Sequence, residues 1–118
     1  MNKEFEAYVM KVIKKFKPIL LLDRFTFKVA YPCENKNSLM ECKFRYPYLD
    51  ASIIYNNEAV SRWKKKEDMT QYVVHEMCHL ITDPLYSKAT NRFVSKGEIE
   101  DERELLTDYI TNIVLKSI

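Results

Sequence analysis

Glycine is almost missing from this chain: Gly97 is the only one in 118 residues. Loops that cradle phosphates or dinucleotides need several glycines so that the backbone can approach the ligand, which excludes the nucleotide-binding classes built on them. Histidine is nearly as scarce, with only His75 and His79. Neither sign of charge dominates: 19 basic residues face 17 acidic ones, for a net charge of +2. No nucleic-acid partner is expected from that balance, and the run Lys64-Lys65-Lys66 reads as a solvated helix end. Apolar runs such as Leu20-Leu21-Leu22 are far too short to span a membrane. The segment Met1–Glu6 mixes charges and lacks the apolar stretch of a signal peptide. Cysteine is odd in number, with Cys33, Cys42 and Cys78. Together these features lead to the expectation of a cytoplasmic protein with reduced thiols and no membrane partner. A Cys33–Cys42 bridge is the lesser alternative.

What the chain does have is apolar mass. Hydrophobic residues make up 47% of it, with 8 Tyr and 6 Phe, enough for a packed interior in one domain spanning residues 1–118. Phe5, Tyr8, Val9, Val12, Ile13 and Phe16 recur at helical spacing over 4–17, with Pro18 as the expected stop. Alternation over 25–31, 39–46 and 51–55 predicts three strands and a largely antiparallel sheet. Asn56 and Asn57 are candidate caps for a short helix ending near Trp63. A second helix is predicted over 67–82, stopped by Asp83-Pro84. A last helix is predicted from Ser95 to Lys116, with Glu98 at capping-box spacing; residues 85–94 fit either helix or loop. The fold class that follows is α+β: an N-terminal helix, a small three-stranded sheet, and helices covering one face of it.

The chemistry concentrates in Val73-Val74-His75-Glu76-Met77-Cys78-His79-Leu80-Ile81. Residues four apart share a helix face, so His75 and His79 can direct ring nitrogens at one metal ion. Glu76 lies about 100° round the helix, where its carboxylate can act as a general base without competing for the metal. Val73, Val74, Met77, Leu80 and Ile81 would form the core side. Cys78, Met69, Met77, Trp63 and Tyr72 read as packing residues. A catalytic zinc needs a third protein ligand and an open position, and no histidine remains. The last helix carries Glu98, Glu100, Asp101, Glu102, Glu104 and Asp108. With Leu105, Leu106, Tyr109, Ile110 and Ile113 as the buried stripe, a helical wheel favours Glu102. The local pattern Glu104-x-x-x-Asp108 favours Glu104, with Asp108 orienting His75 from behind. Glu104 is preferred, with Glu102 as the alternative metal ligand. Glu98, Glu100 and Asp101 read as a solvated acidic first turn.

The His-Glu-x-x-His helix, followed 25 positions after His79 by Glu104-x-x-x-Asp108, resembles the gluzincin metallopeptidases, and in size the single-domain minigluzincins. The stretch His75–Tyr86 looks like small metallopeptidases encoded by phages and prophages, which places the protein in a bacterial or phage-infected host cell. SprT-like proteases are similar at the same motif but use a third histidine, absent here. The resemblance implies Zn2+ and hydrolysis of a peptide or protein substrate, with Glu76 as the catalytic base. An extended substrate would add to a sheet edge, for which Ala51–Tyr55 is the candidate. Tyr55, Tyr86, Arg103 and Tyr109 are candidates for stabilising the oxyanion. Three other readings stay open: a deformylase-like hydrolase with Cys33 or Cys42 as ligand, a non-catalytic zinc-binding phage or prophage regulatory protein, and a self-inhibited peptidase.

Overall fold

The computed structural model describes residues 2–45, 49–89 and 96–117. The chain is α+β. Helix α1 (Lys3–Ile19) precedes strands β1 (Thr26–Ala30), β2 (Met40–Arg45) and β3 (Asp50–Tyr55). Helices α2 (Asn57–Lys64), α3 (Thr70–Ala89) and α4 (Lys96–Lys116) follow.

Helix α1 starts where Asn2 accepts the Phe5 N–H at 3.0 Å, which satisfies one of the donors a first turn leaves open. Its Phe5, Val9, Val12, Ile13 and Phe16 are buried. Pro18 lies inside the last turn and does not stop the helix before it; Leu21, with φ of 58°, turns the chain out instead. The Tyr55 hydroxyl donates to Glu6 and accepts the Asn2 N–H, tying the start of α1 to the end of β3. Burial and that bond to Glu6 push the hydroxyl up to about 12.

The sheet order is β1-β3-β2. β3 is therefore central, parallel to β1 and antiparallel to β2. The sheet is mixed, where the alternation pattern suggests a largely antiparallel one, and β3 is not an edge. Local alternation reports which face of a strand is buried, not which strand it pairs with. The long connection over 31–39 carries the chain past the slot that β3 later fills. Asn56 secures that connection. Its Nδ2 donates to the carbonyls of Ser38 (2.6 Å) and Asn35 (3.0 Å), and its Oδ1 accepts the Cys33 N–H (3.1 Å). With its side chain so engaged, Asn56 gives α2 no side-chain cap. The three cysteines are free.

Ala51, Ile53 and Tyr55 of β3 join the α1 residues, Met69 just before α3, and Val73, Val74, Met77, Cys78 and Leu80 of α3 in one core. Trp63 and Tyr72 pack against it. Ile81 does not join it and is exposed. Helix α3 continues through Pro84 to Ala89, past the predicted stop at Asp83-Pro84. A proline removes one helical hydrogen bond but leaves the turn before it intact, so Asp83 stays on the face of His79. Ser95, the expected cap of α4, lies outside the described residues.

Of the apolar stripe predicted for α4, Ile110 packs against the core, together with Val114 and Leu115, and the other four residues face away. Thr107 and Thr111 are buried, whereas Leu105, Leu106, Tyr109 and Ile113 are exposed. Thr107 is within 2.9 Å of the Thr82 hydroxyl on α3 and donates to the Arg103 carbonyl, while Thr111 donates to that of Thr107. Small hydroxyl side chains that satisfy themselves allow close helix contact without stranded polar groups. Accordingly, Thr111→Leu, which overpacks this contact, lowers stability by about 1–3 kcal/mol, whereas Ile113→Ser in dilute protein changes it by less than about 0.5 kcal/mol. Urea unfolding of the two variants makes the comparison.

Candidate metal centre

One turn of α3 separates His75 from His79, and both rings leave the helix on the side away from the core. Their Nε2 atoms lie 3.2 Å apart. Glu104 of α4 straddles them, with Oε2 at 3.1 Å from His75 Nε2 and Oε1 at 3.4 Å from His79 Nε2. Behind the rings stand two more carboxylates: Asp108 is 2.8 Å from His75 Nδ1, and Asp83 is 3.0 Å from His79 Nδ1.

These contacts assign the tautomers. An ionised carboxylate only accepts, so each Nδ1 carries its proton toward its aspartate. In the neutral ring each Nε2 is then a bare lone pair. Two such nitrogens and a carboxylate converge within about a hydrogen bond of one another. Three acceptors at these distances repel unless a proton or a cation sits among them. Among the described residues this is the group of histidine, cysteine and acidic side chains whose ligand atoms could hold one ion. The two ring nitrogens are 3.2 Å apart and Glu104 turns a different oxygen to each of them; one ligand atom from each residue lies within 4.8 Å of the others, within reach of a single ion.

Glu76 sits beside the cluster, its Oε2 3.9 Å from His75 Nε2. Cys42 of the edge strand β2 lines the same cleft as this carboxylate. Burial raises the Glu76 carboxyl to about 7, against the pull of His79 and with the repulsion of Glu104 and Asp83. Burial alone would lower the His79 imidazolium. The Asp83 hydrogen bond and the charges of Glu76, Asp83 and Glu104 outweigh it and raise the group. The protein without metal thus holds protons where the acceptors crowd, and a divalent cation would reverse that balance.

The cleft over the cluster has a volume of about 520 Å³ and is bordered by Met40–Lys43 of β2. It continues past His75 and Glu76 into a second depression lined by Leu39, Gln71, Tyr72 and Asp108. The strand along the cleft is therefore β2, not the candidate 51–55. Glu102 is exposed and outside the cluster, as are Glu100 and Asp101. Neither Cys33 nor Cys42 joins it, and burial holds the Cys42 thiol well above its ordinary range. Of the oxyanion candidates, Tyr55 is committed to Glu6 and Tyr109 is 69% exposed. The side chain of Tyr86 lies outside the described residues. Arg103 reaches the site, with Nη2 3.3 Å from Glu104 and Nη1 3.8 Å from Asp83.

Asp83 is a site residue that the sequence reading overlooks, because it ends the helix there. The spacing His79-x-x-x-Asp83 is the available signal. No protein-family model matches the chain, and no curated protein or solved structure is significantly similar to it.

The pH dependence of the metal-free protein follows from Glu76. Folded, the group binds its proton up to about 7; unfolded, up to about 4.5. The folded state therefore holds more protons between those values, and stability falls as pH rises through the window, by on the order of 3 kcal/mol. His79, also raised when folded, acts in the same direction. Urea unfolding in the presence of a chelator will show lower stability at pH 8 than at pH 5, and Glu76→Gln will flatten most of the difference.

Proposed function

We propose that this chain is a zinc-dependent peptidase of the gluzincin kind, with His75, His79 and Glu104 as metal ligands and Glu76 as general base. One observation carries the reading. Three acceptors converge with both histidines already oriented by aspartates, and a fourth carboxyl, outside the cluster, borders the same cleft. A structural zinc site is closed by four protein ligands. Three converge among the described residues, which favours an open position and catalysis over a non-catalytic zinc-binding protein. The free thiols fit a reducing bacterial cytoplasm, including that of a phage-infected cell.

Zinc held there supplies Lewis acidity, acidifying water and polarising the scissile carbonyl. The rest falls to the chain. Glu76, beside the three ligands and outside their cluster, takes a proton from the attacking water and hands it to the leaving nitrogen. Asp108 and Asp83 hold the ring protons on Nδ1 and so keep both Nε2 atoms available. Arg103 partly neutralises Glu104 and Asp83 and carries cationic donors at the cleft for a developing oxyanion. The peptide lies extended along β2, across His75 and Glu76, in a groove that runs to both sides of them; such a groove suits an endopeptidase.

Elemental analysis of the purified protein will find one zinc per chain, lost in His75→Ala. Glu76→Gln will retain the zinc and lose hydrolysis of an unstructured protein substrate by at least about a hundredfold; full activity in that variant rules the mechanism out. Asp83→Asn and Asp108→Asn will each weaken zinc affinity by roughly 10–100-fold, as competition with a chromogenic chelator will measure.

A further inference from the structure

Most of the apolar stripe of α4 faces away from its own core. Leu105, Leu106, Tyr109 and Ile113 are 63%, 42%, 69% and 52% exposed, while the helix buries Thr107 and Thr111 on the other side. A contiguous exposed apolar strip of this kind marks an interaction surface. Its layout indicates the occupant. With about 100° per residue, Glu102, Leu105, Tyr109, Ile113 and Lys116 all fall within roughly 40° of Tyr109. They are also arranged symmetrically along the helix: Leu105 and Ile113 lie four residues either side of Tyr109, and Glu102 and Lys116 seven residues either side. Glu102 and Lys116 are exposed and opposite in charge.

We infer that this face pairs with the same face of a second copy, the two α4 helices antiparallel about a twofold axis through Tyr109. An isologous contact requires a patch that complements itself under that rotation. Here Tyr109 meets its counterpart, each Leu105 meets Ile113 of the second copy, and each Glu102 meets Lys116 of the second copy. A parallel pairing would instead set Glu102 against Glu102 and Lys116 against Lys116. The stripe extends roughly 21 Å at ~1.5 Å per residue. It is a small interface, so the dimer forms in the micromolar range or above. Glu104 points roughly 140° away from Tyr109 on the helix, so pairing leaves the cleft over His75 and His79 open, and the inference does not depend on the proposed activity.

Sedimentation velocity of the full chain from about 5 to 500 µM tests it, with far-UV circular dichroism to establish that each variant is folded. The wild type will move from monomer to dimer with concentration, and Tyr109→Lys will stay monomeric. Glu102→Lys and Lys116→Glu will each weaken dimerisation by at least about tenfold, since each places like charges at both ends. The double variant Glu102→Lys/Lys116→Glu will recover wild-type association within about twofold. A wild type monomeric throughout, or a double variant as weak as the single ones, overturns the inference; the first result leaves the stripe to a different protein.

Discussion

Three hydrogen-bond acceptors that face one another at little more than 3 Å form an arrangement that a folded protein must compensate. His75 Nε2, His79 Nε2 and Glu104 are held in that arrangement from behind, because Asp108 and Asp83 bind the protons on the opposite ring nitrogens. Burial, with the nearby charges of Glu104 and Asp83, keeps the Glu76 proton on to about neutral pH, and the Asp83 hydrogen bond with the surrounding carboxylates raises His79 despite its burial. A cation among the three ligands would relieve their repulsion.

Much of the fold serves to hold that arrangement. Helix α3 supplies both histidines and, by running through Pro84, Asp83 as well. Helix α4 must bring Glu104 and Asp108 to the same place in a fixed axial register. The hydroxyl contact of Thr82 with Thr107 joins the two helices, beside the packing of Ile110, Val114 and Leu115 on the core. On the other side, β2 borders the cleft beside Glu76, and its position at the edge of the sheet follows from β3 lying in the centre. The connection clamped by Asn56 leads into the start of β2. Two layers thus meet at the cleft, one carrying His75, His79 and Glu104 and the other carrying β2.

The division of α4 into two faces ties the site to the outer surface. Its inner face mixes Glu104, Arg103 and the threonines with Ile110, Val114 and Leu115. Leu105, Leu106, Tyr109 and Ile113, which would ordinarily mark the core side of a helix, are left outside. A helical wheel built on the assumption that apolar means buried therefore points to Glu102. The pattern Glu104-x-x-x-Asp108 points to the residue that lies against the histidines.

What was legible in the sequence by itself is local and periodic. His75, Glu76 and His79 share a face by helical spacing alone, and Glu104 with Asp108 form an i, i+4 pair. The alternation in β3 and the period of α1 mark their buried faces. Asp83 had the right spacing too, but the proline after it masked the continuing helix. The tertiary structure decided the rest: that β3 fills the central slot, that β2 lines the cleft, that α4 turns its threonines inward, and that Glu104 rather than Glu102 meets the histidines. The physical reason is that periodicity shows which side of an element is distinct, while only packing against the other elements decides what that side will face.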